Sequence, residues 1–126
     1  DTAFDFTTEN PIGKDIKDIP PGYDHCYITE AYNPENPQCG VPLEDSDLVS
    51  FGVVKEPSTG HEMEIFTNLE GCQFYSANFI KGLVGKNGKV YETQVFPDSP
   101  NKPDFPSCIL QPGQTLKAKT IYSFKI

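Results

Sequence analysis

A glutamine, two aromatic residues and a carboxylate lie close together in one stretch of the chain. Glu92 can take or give a proton in general acid–base catalysis. The amide of Gln73 and the rings of Phe74 and Tyr75 are groups that hold the polar and flat parts of a small ligand. This stretch is therefore the first candidate site; it comprises residues 71–79 (GCQFYSANF) and 92–98 (ETQVFPD).

Each polar candidate also has an ordinary structural interpretation. A strand glutamate such as Glu92 usually faces solvent, and Gln73 could be an unremarkable strand residue. Asp24 could cap the turn that precedes it. Of the two histidines, His25 fits a packed, hydrogen-bonded residue better than a proton donor, and His61 follows a turn and is expected to be solvated.

The residues that often hold metals do not have metal-site spacing here. The acidic group Glu44, Asp45 and Asp47 departs from the pattern of a calcium loop. Cysteines occur at positions 26, 39, 72 and 108, and no two of them form a C-x-x-C pair. We therefore expect buried or half-buried free thiols, and no bound metal.

Composition excludes several classes of partner. The net charge is −8, and all ten basic residues are lysines, so a nucleic-acid partner is not expected. An acidic chain without basic clusters has little attraction for anionic membranes, and no apolar run approaches the length of a membrane span. The start of the chain has no signal-peptide pattern, and we expect a cytoplasmic location.

Twelve prolines and ten glycines punctuate the chain, which disfavours long helices. Between these breaks apolar and polar residues alternate, as they do in half-buried strands. The alternation predicts one domain over residues 1–126, with an all-β fold and an antiparallel β-sandwich. In the last strand Leu116, Tyr122, Phe124 and Ile126 are expected on a dry face. The predicted strands are residues 23–32, 48–55, 61–67, 73–80, 89–96 and 116–126, and Asn87-Gly88 is a predicted hairpin turn.

Four groups of residues, in order along nearly the whole chain, resemble the C-terminal part of the aldose 1-epimerase (galactose mutarotase) family. Each motif is weak alone, and together they are specific. They are Thr2-Ala3-Phe4-Asp5-Phe6 with Pro11-Ile12-Gly13, then Gly22-Tyr23-Asp24-His25, then residues 64–79, and finally Glu92-Thr93-Gln94 with Phe96-Pro97-Asp98, residues 103–106 and Gln111-Pro112-Gly113.

The resemblance implies part of an all-β galactose mutarotase-like supersandwich that interconverts the α and β anomers of hexoses such as galactose or glucose. In such an enzyme Glu92 matches the general base, while Asp24 and Gln73 match sugar-binding groups beside Phe74 and Tyr75. No cofactor is implied. The chain matches little more than the last third of the family, whose active-site histidines lie in the preceding part. Tyr91 also runs directly into Glu92, where the family inserts several residues.

Three interpretations follow from the resemblance. The chain is the C-terminal portion of an aldose 1-epimerase-like protein, or a non-catalytic carbohydrate-binding or interaction module derived from that family. The third interpretation is a fragment that is stable only beside its missing half. A partial sandwich leaves a strand edge and an apolar face open. A second copy of the chain or the N-terminal part of the enzyme is the partner expected to cover them.

Overall fold

The computed structural model describes residues 2–35, 48–79 and 90–126, with side chains for all of these except 90–93. Regular structure in these ranges consists of β-strands and two short 3-10 helices, Ile16–Asp18 and Ser99–Asn101. The strands are β1 (Asp24–Ile28), β2 (Val49–Glu56), β3 (His61–Thr67), β4 (Gly71–Tyr75), β5 (Val90–Gln94) and β6 (Thr120–Lys125). The prediction of an all-β chain is confirmed. In the described ranges no helix is long and apolar enough to cross a bilayer.

The strands form two three-stranded sheets, in the orders β1-β4-β5 and β2-β3-β6. In the second sheet, β3 runs antiparallel to both neighbours. In the first, the hydrogen bonds from Ser76 N to Tyr23 O and from Thr29 N to Glu70 O flank β1 and β4 and define an antiparallel pair. Two sheets of antiparallel strands are consistent with the architecture of a β-sandwich.

Strands β1, β4, β5 and β6 are shorter than predicted, and for three of them the structure shows a local reason. β1 ends at Ile28 because the chain turns there, with Tyr32 N donating to Thr29 O. β4 ends at Tyr75 because Ala77 adopts a φ of 62°, which is left-handed rather than extended. β6 begins at Thr120 because the Asn68 side chain bonds the preceding backbone, accepting from Lys119 N and donating to Lys117 O.

Some of the other sequence predictions are confirmed, and others concern residues that lie outside the described ranges. β3 covers the predicted residues, and Ile65 and Thr67 lie on its buried side, as its alternation indicated. Three cysteines are free thiols, with Cys72 buried and the other two half-buried, as expected. The Asn87-Gly88 turn, Cys39 and the acids at 44, 45 and 47 lie outside the described residues.

Contacts between Cα atoms divide the chain into two compact units. The first comprises Asp1–His25 and Gln73–Glu92, and the second comprises Cys26–Cys72 and Thr93–Ile126. The first has Tyr23 and Phe74 in its core, and the second has Ile65, Cys72 and Phe96. The single domain over residues 1–126 stays a prediction.

The prediction of a dry face on the last strand is wrong. Phe124 and Ile126 are 73% and 97% exposed, and Leu116 and Tyr122 are exposed as well. The reason is the position of the strand in the sheet. β6 is the outermost of the described strands, so Ile65 and Thr67 of the inner strand β3 are buried while the apolar side of β6 faces solvent.

Candidate functional site

The structure brings two of the predicted site residues into direct contact. Asp24 begins β1 and Gln73 lies in the middle of β4, and Gln73 Nε2 donates a hydrogen bond of 2.7 Å to Asp24 Oδ1. This bond fixes the amide with its nitrogen toward the carboxylate. Gln73 Oε1 is buried and has no hydrogen-bond partner among the described residues. The pair therefore offers acceptor oxygens to a ligand that carries hydroxyl or N–H donors.

A network of side chains holds the backbone just before Asp24. Tyr23 N donates to Ser76 Oγ at 2.9 Å, Asn78 Nδ2 donates to Tyr23 O at 2.8 Å, and the side chains of Ser76 and Asn78 bond each other. Gly22 has a φ of 135°, and a Cβ there would lie 2.7 Å from Ser76 Oγ. Glycine is therefore required at position 22 by both its conformation and its neighbours.

The opposite face of the same strands is an aromatic core. The Tyr23 ring stacks on Phe74 at 5.0 Å between centroids, and Phe6 packs against both rings. Tyr23 OH donates to Ala3 O at 2.8 Å, and burial followed by the negative charge of Asp15 raises the pKa of Tyr23. Because strand side chains alternate, packing of Tyr23 and Phe74 orients Asp24 and Gln73 to the other face.

His25 is part of the packing beside this core. Its ring contacts Phe4 with 4.6 Å between centroids in an edge-on arrangement. The Asp24 backbone N–H donates to His25 Nδ1 at 3.0 Å, so Nδ1 is an acceptor and is not the protonated nitrogen of a neutral ring. These contacts agree with a packed, hydrogen-bonded residue. His61 is exposed, with Nδ1 2.7 Å from Thr59 Oγ1.

The two aromatic candidates differ in accessibility. Phe74 is only 5% exposed and belongs to the core, which favours a packing role. Tyr75 is half-buried, stacks on the exposed ring of Phe79 at 6.5 Å, and accepts a 2.9 Å hydrogen bond from Phe79 N through its hydroxyl group. Direct contact of Phe74 or Tyr75 with a ligand stays a prediction.

Glu92 lies in β5, which neighbours β4 in the sheet, and its side chain is outside the described residues. Further along the same strands, Gln94 Nε2 donates to Cys26 Sγ at 3.8 Å. Gly71 lies between them, since a Cβ there would be 2.8 Å from Cys26 Sγ and 3.1 Å from Gln94 O. The absence of a side chain at Gly71 thus permits this contact, and burial raises the pKa of the Cys26 thiol.

The sequence predictions singled out Asp24 and Gln73, which bond each other, but missed the residues that hold the backbone beside them. Ser76 and Asn78 were not singled out, although they fix the Tyr23 backbone. The only signal for them was their place in the motif of residues 64–79. Among the described residues no group of three His, Cys, Asp or Glu side chains is arranged to hold a metal ion, and the absence of a metal stays a prediction.

Comparison with known proteins places the chain in a family. The family model described as aldose 1-epimerase matches residues 1–123. Galactose mutarotase from Mus musculus is 33% identical over 136 aligned residues, which cover 99% of this chain and 36% of the mouse protein. Galactose mutarotase from Homo sapiens is also 33% identical, and aldose 1-epimerase from Escherichia coli (strain K12) is 28% identical with 98% of this chain covered.

The chain belongs to the aldose 1-epimerase family. It spans about a third of the length of the curated relatives it matches, and the matched third is their C-terminal part. The predicted resemblance is thereby confirmed, including its restriction to that part.

Proposed function

We propose that the polar face around Asp24 and Gln73 is a hexose-binding wall of an aldose 1-epimerase site, and that Glu92 is the general base of that site. The observation that carries the proposal is the Gln73–Asp24 hydrogen bond together with the buried Gln73 Oε1, which has no partner among the residues that the structure describes. A buried acceptor without a donor is costly, and a sugar hydroxyl can supply the donor. The names of the relatives support a sugar as the ligand.

The two residues have complementary tasks in this proposal. The Asp24 carboxylate accepts hydrogen bonds from hydroxyl groups, and a charged acceptor makes such bonds stronger. Gln73 donates one bond to Asp24 and so prevents the carboxylate from rotating, while its own carbonyl receives a second hydroxyl group. A site built to bond hydroxyl groups discriminates strongly against analogues that lack them.

The position of Glu92 in its strand supports the role that the resemblance implies. Residues two apart in a strand share a face. Position 92 is two before Gln94, which bonds Cys26, and Cys26 is two after Asp24. We therefore expect position 92 to share the face of Asp24 and Gln73, with β5 next to β4.

The reaction is an acid–base ring opening. The Glu92 carboxylate takes the proton of the C1 hydroxyl, the C1–ring-oxygen bond breaks, and an acid protonates the ring oxygen. Rotation about C1–C2 and the reverse steps then close the ring as either anomer. By the resemblance the acid is a histidine in the part of the family that precedes the match. We therefore expect mutarotation by this chain alone at or near the uncatalysed rate.

Sugar titration followed by NMR, together with polarimetry, tests the proposal. Galactose or glucose is expected to shift amide resonances around Asp24 and Gln73, and Gln73→Leu is expected to weaken binding about tenfold. Gln111→Leu, in an exposed turn, is the matched control. Absence of binding by both sugars to the folded chain overturns the binding wall, and strong Glu92-dependent turnover by the chain alone overturns the expected inactivity.

A non-catalytic carbohydrate-binding module is the second candidate. It is favoured by the fact that Asp24 and Gln73 bond each other directly, so sugar binding does not require Glu92. Under this function Glu92→Gln leaves sugar affinity nearly unchanged, and no assembly of the chain gains Glu92-dependent mutarotation. Glu92-dependent turnover in an assembly with a longer family polypeptide would favour the enzyme instead.

A further inference from the structure

The peptide group that joins Tyr23 to Asp24 is held at both of its polar ends. Its carbonyl oxygen, Tyr23 O, accepts from Ser76 N at 3.0 Å and from Asn78 Nδ2 at 2.8 Å. Its N–H, which belongs to Asp24, donates to His25 Nδ1 at 3.0 Å. Because a peptide group is planar, bonds at both ends fix the orientation of the whole plane. This orientation restricts the direction in which the Asp24 side chain leaves the backbone.

The side chains of Ser76 and Asn78 fit together in one consistent arrangement of donors and acceptors. Asn78 presents Nδ2 to the carbonyl oxygen of Tyr23, and its Oδ1 accepts from the Ser76 hydroxyl group. The Ser76 oxygen in turn accepts from Tyr23 N at 2.9 Å. The two side chains therefore hold both the N–H and the carbonyl group of Tyr23, and Asn78→Asp would set one acceptor against another.

The backbone on either side of this network is shaped to allow it. Residues two apart in an extended strand are separated by about 7 Å, so their side chains do not normally bond each other. Ala77, with a φ of 62°, turns the chain and brings Asn78 beside Ser76. Gly22 leaves the space, since a Cβ there would meet both side chains. The conformations of Gly22 and Ala77 thus both serve the hydrogen bonds around Tyr23.

We propose that Ser76 and Asn78 are positioning residues for the Asp24–Gln73 pair. They hold the peptide group before Asp24 so that its carboxylate meets Gln73 Nε2 and the acceptor oxygens of the pair face a ligand. A site works when supporting hydrogen bonds hold its groups within about 0.5 Å of the productive geometry. The inference deepens the proposed function and rests on it for the identity of the ligand, whereas the holding of the pair is measured without sugar.

NMR of the chain without sugar tests the positioning directly. Asn78→Asp keeps the size of the side chain and its acceptor for Ser76, but it removes the donor to Tyr23 O. We expect the side-chain amide resonances of Gln73 to move toward those of a solvent-exposed glutamine, because the bond to Asp24 loosens. A merely structural role would lower the free energy of unfolding, measured in urea, and leave these resonances of the folded chain unchanged.

Further variants separate the lost donor from other effects. Asn33→Asp makes the same change of charge at an exposed position, where the side-chain oxygen accepts from Glu35 N and an aspartate can do the same. It is expected to leave the Gln73 resonances unchanged. Ser76→Ala is expected to move them as Asn78→Asp does, whereas Ser76→Thr keeps a hydroxyl group and is expected to retain them. The two Ser76 variants carry the test if Asn78→Asp does not fold.

Galactose titration connects the positioning to binding. Asn78→Asp and Ser76→Ala are each expected to weaken galactose binding about tenfold, because a polar group beside the pair loses its partner. Ser76→Thr and Asn33→Asp are expected to change it less than about twofold.

Four outcomes overturn the proposal. The first is unmoved Gln73 resonances in the folded variants that lack the donor or the hydroxyl group. The second is Ser76→Thr moving them as far as Ser76→Ala, and the third is Asn33→Asp moving them as far as Asn78→Asp. The fourth is moved resonances with unchanged galactose affinity. A wild-type chain that binds neither galactose nor glucose refutes the proposed function instead, and moved resonances would then still support the positioning of the pair.

Discussion

The aromatic face of β1 and β4 and the apolar face of β6 follow the same alternation but end in opposite environments. In the first unit Phe6, from the N-terminal segment, packs on Tyr23 and Phe74 and closes the core. In the second unit Phe124 occupies an equivalent alternating position and is mostly exposed. Alternation determines which residues share a face, whereas a distant segment determines whether that face is covered.

The polar faces of the two sheets also differ, in how far their charged and hydrogen-bonding groups are paired. On the β2-β3-β6 sheet the charges neutralise one another: Lys125 Nζ lies 3.4 Å from Glu64 Oε2, and Ser50 Oγ donates to Glu64 Oε1. On the face of Asp24 and Gln73 one acceptor oxygen is left without a described donor. A face that satisfies itself needs no ligand, and a face that does not is the better candidate for binding.

Truncating one ring from each face is the strongest test of this comparison. Phe74→Ala is expected to lower the free energy of unfolding by about 3–5 kcal/mol, because it removes a buried ring from a closed core. Phe124→Ala is expected to change it by less than about 0.5 kcal/mol, since its ring is exposed. Urea unfolding of both variants measures the difference, and equal losses would refute the contrast between the two faces.

Gly22→Ala sharpens the account of how the face of Asp24 and Gln73 is held. A Cβ at position 22 would meet Ser76 and Asn78 in a backbone conformation that alanine rarely adopts. We expect a loss of about 2–3 kcal/mol in the free energy of unfolding. Gly13→Ala is the control, since no atom lies within 4 Å of a Cβ there. A loss at position 22 no larger than at position 13 would show that this network does not constrain the backbone.

Glu70, in the second unit, departs from the pairing seen on the β2-β3-β6 sheet and can be tested by its response to pH. It is buried, Oε2 has no partner among the described residues, and burial raises the pKa of the carboxyl group above its usual 4.5. The folded state therefore holds the proton more tightly than the unfolded state. The contribution of Glu70 is most favourable below pH 4.5 and is lost as the pH rises through the raised pKa.

Glu70→Gln should accordingly stabilise the chain more at pH 7 than at pH 4. The expected gain at pH 7 is about 1–2 kcal/mol, the cost of an unpaired buried group. Thermal or urea unfolding at the two pH values measures it, and Glu35→Gln, at an exposed position, is the control. A gain independent of pH would contradict titration of Glu70 as its cause.

Local sequence signals predicted most of the strands, and the ordered motifs singled out Asp24 and Gln73, which the structure brings into contact. β3 was predicted at its observed bounds because a turn with Gly60 precedes it and its residues alternate strictly. β4 was predicted too long, because nothing in its composition reveals that Ala77 is left-handed. β6 was predicted too long because a side chain 49 positions away, Asn68, bonds Lys117 O.

The sequence by itself determined the alternating faces, the turns and the family, since these depend on neighbouring residues and on ordered motifs. Only the tertiary structure decided that Gln73 bonds Asp24 across 49 positions, that Gly22 must be glycine, and that Phe74 is buried while Phe124 is not. The physical reason is that alternation is a property of the extended backbone. Burial and hydrogen-bond partners depend on which distant segments pack against it.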